Sequence, residues 1–341
     1  MRPLAIQAVG AFTGAGTSAA RAIGSLRLAL KFFGELPTLD ANGDPIIGAP
    51  TPLDLKRVAG VERLVTMAAL ALAECATKHD SPAAVLLCLP SRVDDAFVPA
   101  DVLAALAGEA RFPVDHAASR AFAGGRAAVF QALAEAERLL STRRVAAVYL
   151  GGADSLIDVE PLDGALRAGL LKIGAAEGFV PGEGAAFVRL GLAGDEATLG
   201  LVTGLATASE PAPRGAAQPS SGQGLAQAGR AALADARLGI GELGAFFADA
   251  SGDRFGLREA GMALTRLHPR AQPAPEVWYP ATCTGEIGAA TGPFALAAAA
   301  TFLYRRVCQG PAALVLGTGE GAARGAAVVS APPSAHPPRR R

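Results

Sequence analysis

The sequence predicts an α/β protein built from two related halves. Three observations carry that prediction. Short apolar runs ending in glycine alternate with longer Ala- and Leu-rich stretches of helical period along most of the 341 residues. The turn Pro181-Gly-Glu-Gly-Ala-Ala186 is echoed by Gly317-Thr-Gly-Glu-Gly-Ala-Ala323, and each stands before the terminal strand of its half. Hydrophobic residues make up 51% of the chain, with 41 glycines and only 5% aromatics, a composition suited to layers that approach closely.

The elements follow in order. Leu4–Gly10 is a short apolar strand, Thr13-Gly-Ala-Gly-Thr17 a turn, and the Ala/Leu-rich stretch to Phe33 a helix. Pro37, Asn42-Gly43-Asp44-Pro45 and Pro50 punctuate a hairpin excursion over about residues 34–55. The alternation of Asp40, Asn42 and Asp44 fails as a calcium loop, because Pro45 stands where that loop requires glycine. Helix Gly60–Lys78, the buried-strand run Ala84–Pro90 and helix Pro99–Gly108 come next. Residues 124–140 form a long, nearly all-apolar pattern, hence a central buried helix. Strand Val145–Leu150 ends at Gly151-Gly152, and strand Ala185–Leu190 follows the glycine turn Gly182-Glu183-Gly184.

After Leu190 the order partly repeats. Strand Leu199–Leu205, a Pro/Ser/Gly-rich loop over 209–224, helix Leu225–Leu238, strand Ala245–Asp249, helix Leu257–Leu267, strand Glu276–Pro280 and apolar helix Gly288–Val307 lead to strand Ala312–Gly317. The turn containing Gly319 and Gly321 then enters Ala326–Ser330. The halves are therefore placed at 1–192 and 193–330, and the Pro/Arg-rich tail 331–341 is too polar to pack.

Lys+Arg and Asp+Glu both number 31, so no global field draws nucleic acid or an anionic membrane, and neither is expected as a partner. Met1–Gly10 lacks the pattern of a signal peptide, and no apolar run reaches the ~20 residues of a membrane span, which predicts a soluble, cytoplasmic protein. Cys75, Cys88, Cys283 and Cys308 have no metal-ligand spacing and read as buried free thiols. No cofactor and no metal are expected.

Val145-Ala-Ala-Val-Tyr-Leu-Gly-Gly-Ala-Asp-Ser155, followed by Glu177-Gly-Phe-Val-Pro-Gly-Glu-Gly-Ala-Ala-Phe-Val-Arg-Leu190, resembles the β-ketoacyl-acyl-carrier-protein synthases of the thiolase superfamily. Thr284-Gly-Glu-Ile-Gly-Ala-Ala-Thr-Gly292 looks like the family's Thr-Gly-His-x-x-Gly-Ala-Ala-Gly segment, and Ala250-Ser-Gly-Asp253 stands where Ala-His-Gly-Thr would. The resemblance spans nearly the whole chain. It implies a five-layer αβαβα fold of two βαβαβαββ halves and a homodimer or heterodimer.

Condensation requires a thiolate at a helix N-terminus and two imidazoles to stabilise developing negative charge. Between Cys88 and Cys283 there is no cysteine. An ungapped count from Gly151 puts the nucleophile position at Arg126, whereas matching the glycines puts it near Phe122. The histidine positions hold Ser251 and Glu286, and Ala281 aligns with the accompanying lysine. His79, His116, His268 and His336 fall away from these motifs, with only His116 near the elbow. Ser251, Asp253, Glu286 and Cys283 belong either to a vestigial pocket of loop residues or to a rearranged site with Glu286 as base and Cys283 as nucleophile, while Ser119, the hydroxyl near the elbow, has no base beside it in the sequence.

The resemblance thus implies a non-condensing homologue, a binding or scaffold subunit like the chain-length factors, partnered by a synthase-like chain or an acyl carrier protein. A pocket plugged by Phe122 or Arg126 accompanies that expectation. Synthase-like proteins with a similar hairpin and Gly-Phe-Val-Pro-Gly-Glu turn also resemble companions of type VI secretion effectors, which makes an effector the second partner class. The alternative is an acyltransferase or thioester hydrolase with an open acyl tunnel.

Overall fold

The computed structural model describes residues 1–54, 57–76, 82–91, 97–110, 112–194, 198–268 and 275–332. His79, His336 and tail residues 333–341 lie outside them. The first set of elements is β1 (Leu4–Thr13), α1 (Ala19–Leu28), β2 (Gly34–Leu39), β3 (Pro45–Gly48), α2 (Gly60–Cys75), β4 (Ala84–Leu89), α3 (Pro99–Glu109), β5 (Arg120–Ala123), α4 (Ala128–Ser141), β6 (Val148–Ser155), α5 (Val159–Arg167) and β7 (Glu183–Leu192). The second is β8 (Gly200–Ser209), α6 (Gln223–Ala236), β9 (Leu243–Ala248), α7 (Arg254–Leu267), β10 (Glu276–Trp278), α8 (Ala281–Thr284), α9 (Thr291–Tyr304), β11 (Ala312–Thr318) and β12 (Ala323–Ser330).

Hydrogen bonding orders the strands β10-β9-β11-β12-β8-β1-β7-β6-β4-β5. Read outward from the centre, β1-β7-β6-β4-β5 and β8-β12-β11-β9-β10 are the same arrangement twice. The halves join where β1 and β8 pair antiparallel, Leu4 opposite Val202. In the first half β4 is parallel to β5 and β6, and in the second β9 is parallel to β10 and β11.

Strand alternation builds the layers. On β7, Ala186, Val188 and Leu190 enter the core that holds α4 and α9, while Ala185 and Phe187 face the core of α2 and α3. On β11, Ala313 and Val315 face the same central core, and Leu314 and Leu316 pack against α6 and α7. The result is α2/α3, half-sheet, α4/α9, half-sheet, α6/α7, since α4 and α9 each touch strands of both halves. Buried on both faces, the strands carry apolar runs rather than polar alternation.

The central helices explain the glycines. Of α9's 14 residues, 12 are buried, and α4 buries Ala128, Val129, Phe130, Ala132, Leu133, Ala136, Leu139 and Leu140. Phe130 lies on the paired Gly317 and Gly325, where a Cβ would come within 2.6 Å and 2.1 Å of its ring. Burying that ring is worth about 2–3 kcal/mol, and both strands give up side chains to allow it.

Some boundaries differ from the sequence reading. The first helix stops at Leu28, because Ala29 turns left-handed at φ 53°, and Leu28–Phe32 run exposed into the hairpin. Strand β6 continues through Gly151-Gly152 to Ser155 instead of ending there. The pattern over 124–140 divides into strand β5 before it, a 3₁₀ turn at Gly125–Ala127 and α4. Helix α5 lies between β6 and β7, in a stretch whose Pro161 and Gly164 mask its period. No helix of the described residues is long and apolar enough to cross a membrane.

Candidate functional site

Loops after parallel strands are where α/β folds place ligands. Here the carboxyl ends of parallel strands from both halves converge: Ser91 follows β4, Gly125 follows β5, Asp154 ends β6, Asp249 follows β9, Glu286 follows β10 and α8, and Thr318 ends β11. A cavity of about 520 Å³ opens there, and apart from Asp249 all of these line it. One wall is polar, with Arg126, Ser251, Asp253 and Glu286; the other is apolar, with Leu156, Ala165, Leu170 and Phe179.

The Gly-Phe-Val-Pro-Gly-Glu segment is a strap between the halves. The Gly182 amide donates to the Glu286 carbonyl at 2.9 Å, the Glu286 amide to the Val180 carbonyl at 2.8 Å, and the Ala49 amide to the Pro181 carbonyl at 2.8 Å. A Cβ on Gly182 would meet the Thr284 carbonyl oxygen at 2.3 Å, so only glycine permits the crossing. Behind the strap, the fully buried Glu183 carboxylate accepts from the Thr51 amide and hydroxyl, the Ser155 hydroxyl, and Arg63 at 2.6 Å and 2.5 Å. The hairpin supports the apolar wall, since Leu36 and Ile46 pack with Leu162, Leu171 and Phe179.

The polar wall is an ion network. Arg126 Nη1 donates to Glu286 Oε2 at 3.1 Å and to the Asp249 carbonyl at 3.3 Å, and its Nε lies 3.7 Å from Asp249 Oδ2. Glu286 also accepts from the Gly288 amide at 2.8 Å. Asp249 Oδ2 accepts from the Thr318 amide and hydroxyl. Burial disfavours charge on Arg126, but Glu286, then Asp249, Asp253 and Glu320, more than reverse this and hold the guanidinium firmly protonated. At the mouth, Asp253 caps α7 by accepting from the Gly256 amide at 3.0 Å and pairs with Arg214 at 2.5 Å. The Gly319–Ala322 turn is held by Arg324, buried with Glu259 at 2.5 Å and donating to the Gly321 and Ala323 carbonyls at 2.7 Å.

The sequence candidates separate on this geometry. Arg126, Ser251, Asp253 and Glu286 share one wall. Phe122 instead joins the central core, and Arg126 lies along the wall of an open cavity, so the plug expected from either residue is absent. Cys283 is fully buried in α8, its thiol directed to the Pro280 carbonyl, and burial pushes its pKa up to about 12. Ser119 donates to the Asp115 carbonyl and accepts from the Val85 amide, tying the sheet edge rather than lining the site. His116 is exposed and does not line the cavity.

Two residues of the turn line the cavity: Arg126, one of the two positions that the motif spacing selects, and Gly125, at φ 57°, which lies between those positions. A Cβ there would look toward Glu320 Oε1 at 3.7 Å and Ser91, with nothing closer. Asp154, Asp249, Arg214, Phe255 and Glu320 were missed by motif matching. Asp154 and Asp249 carry a positional signal, since they stand at strand ends. Ser251 Oγ is buried without a hydrogen-bond partner. Among the described residues, no group of three or more His, Cys, Asp or Glu is arranged to hold a metal.

A pH dependence follows. Burial raises the Asp253 pKa, but the Arg214 hydrogen bond, the Gly256 amide and the charges of Arg214 and Arg126 outweigh it, leaving the folded value below the ordinary one. A lowered carboxyl pKa contributes stability that is present above the unfolded value of about 4 and is lost as pH falls through the folded value. Arg214→Ala should therefore flatten the loss of stability below about pH 4, as read from urea midpoints between about pH 3 and 6. An unchanged slope would contradict this assignment.

No family model matches the sequence, and neither does any curated protein. Solved structures do match in fold. The ishigamide ketosynthase/chain length factor is 20% identical with a TM-score of 0.72, covering 97% of this chain and 99% of that one. A type II polyketide synthase acyl-carrier protein in complex with its ketosynthase, bound to the hexaketide, gives 13% identity and a TM-score of 0.80 over 97% and 99%. A ketosynthase in complex with its chain length factor from Xenorhabdus doucetiae gives 15% and 0.75 over 97% and 98%. The chain has the thiolase-like ketosynthase fold along essentially its whole length.

Proposed function

We propose that this chain is a non-condensing ketosynthase-fold subunit that binds a ligand or a partner's arm in the cavity between its halves without reacting with it. The polar wall carries the reading: of the two turn residues that line the cavity, Arg126 is neutralised by Glu286 and Asp249, and Gly125 has no side chain. A nucleophile in this chemistry requires a thiol or hydroxyl with a base beside it. Neither Cys283 nor Ser119 reaches the cavity, and Glu286 is already committed to Arg126 and the Gly288 amide.

The similar structures include ketosynthases in complex with a chain length factor or an acyl-carrier protein. By that likeness the partner is a second thiolase-fold chain, either a further copy or a synthase-like protein, or a carrier protein. Exposed Leu28, Leu30, Phe32, Leu39 and Ile47 along the end of α1 and the hairpin supply an apolar face of the kind partners cover. Using the protein as bait separates these partners from a type VI secretion effector.

The rival reading, an acyltransferase or thioester hydrolase, rests on Ser251, whose buried hydroxyl oxygen has no partner. Intact-mass spectrometry after incubation with acyl-coenzyme A and acyl-carrier-protein thioesters tests both. No adduct and no thioester turnover are expected from the wild-type protein. An acyl adduct abolished by Ser251→Ala, Cys283→Ala or Ser119→Ala would instead establish a nucleophile.

A further inference from the structure

The cavity mouth holds a cation bound in cis. Arg214, on the loop between β8 and α6, places its guanidinium 2.5 Å from Asp253 Oδ1 and 4.7 Å from the centre of the Phe255 ring. A carboxylate beside an aromatic face is a general recognition site for guanidinium and ammonium groups. The carboxylate is preorganised, because Asp253 is 5% exposed and fixed by the α7 amide that it caps. Its usual occupant is not. Pro211–Pro219 is mostly exposed, and its ends are fixed by buried Glu210 and Ser220. Among the described residues, the side-chain tie from this segment to the body of the protein is the one that Arg214 makes.

The charges inside point the same way. The cavity lining has four carboxylates, Asp154, Asp253, Glu286 and Glu320, against two guanidiniums, Arg126 and Arg214. Withdrawing Arg214 leaves four against one. Beyond the mouth, Leu156, Ala165, Leu170 and Phe179 present an apolar wall. A volume of about 520 Å³ lies within the range of small-molecule sites and exceeds what one guanidinium needs.

We infer that Asp253 and Phe255 form a cation-accepting site at the cavity mouth, occupied by Arg214 as an internal competitor and opened to amphiphilic ligands with a guanidinium or ammonium head and an apolar body. The head replaces Arg214 on Asp253 and Phe255, and the body lies along the Leu156–Phe179 wall. An anionic amphiphile meets the excess of carboxylates instead and is excluded. This site stands independently of whether the chain reacts with thioesters.

Isothermal titration calorimetry with n-octylguanidinium and n-octanoate below their micellar concentrations tests it on the full chain. Octylguanidinium should bind and octanoate should not. Arg214→Ala removes the competitor, so the octylguanidinium Kd should fall at least tenfold. Asp253→Asn keeps an N-cap side chain while removing its charge, and in the Arg214→Ala background it should raise that Kd at least tenfold. Should the double variant not fold, Phe255→Leu in the same background provides the measurement, with at least threefold weaker binding expected. Octanoate binding as well as octylguanidinium, an unchanged or higher Kd in Arg214→Ala, or an unchanged Kd on altering Asp253 or Phe255 would overturn the assignment.

Discussion

Glu183→Ala should cost about 3–5 kcal/mol of folding stability, the typical penalty for leaving one member of a buried ion pair alone. Arg63 and Glu183 are 1% and 0% exposed at their side chains, so the abandoned guanidinium has no water to turn to. Among the described residues its remaining acceptors are the Val58 and Leu53 carbonyls, at 3.0 Å and 3.4 Å. The loss also frees Thr51 and Ser155, which loosens both the hairpin and the end of β6 at the cavity. Against a total stability of about 5–15 kcal/mol, much of the protein should be unfolded or insoluble. Arg63→Met combined with Glu183→Leu should recover part of the loss, since it removes the charges together. Urea midpoints measure both variants, and a shift below about 1 kcal/mol in Glu183→Ala would show the pair to be dispensable.

Gly152→Val should be comparably damaging, for steric reasons. A Cβ at position 152 would lie 2.3 Å from the Ala289 carbonyl oxygen, which is backbone and cannot rotate aside. Overpacking of this kind costs about 1–3 kcal/mol, sometimes more, and the displaced turn is the one that Asp154 fixes through the Ala289 amide at 2.9 Å. The cavity should therefore distort even in molecules that fold. A thermal midpoint within about 1 °C of wild type would contradict the close approach, since 1 kcal/mol shifts a chain of this size by roughly 1.4 °C.

These two positions show what the sequence discloses. Strands β4, β7 and β11 were legible because doubly buried strands are continuous apolar runs, and α4 and α9 because all-apolar helices belong in a core. Strand β5 was not, since Arg120-Ala-Phe-Ala123 is a four-residue edge strand with no distinctive alternation. The echo of the two Gly-Glu-Gly turns was legible, yet it concealed a difference: Glu183 is buried against Arg63, while Glu320 is exposed at the cavity mouth. Local sequence is alike in the two turns, and the long β6–β7 connection through α5, against the four-residue β11–β12 turn, sets their surroundings apart. Ser251, Asp253 and Glu286 were found by motif position. Arg214 was not, because a lone arginine in a Pro/Ser/Gly-rich loop acquires meaning only when Asp253 and Phe255 are folded against it.

In the proposed reading a reachable cavity stands between the halves, and the turn that enters it, Gly125-Arg126, offers no thiol or hydroxyl. Gly125→Cys tests it most directly, by comparing iodoacetamide labelling of the variant and the wild type under native conditions with intact-mass readout. The native thiols are buried, and burial raises the pKa of Cys88, Cys283 and Cys308, so the wild type should label slowly. The new thiol opens onto the cavity, with nothing closer to its Cβ than 3.7 Å, and should label at least tenfold faster than the buried native thiols, at one site. Equal labelling of the two proteins would contradict the account, because position 125 would then not face an accessible cavity.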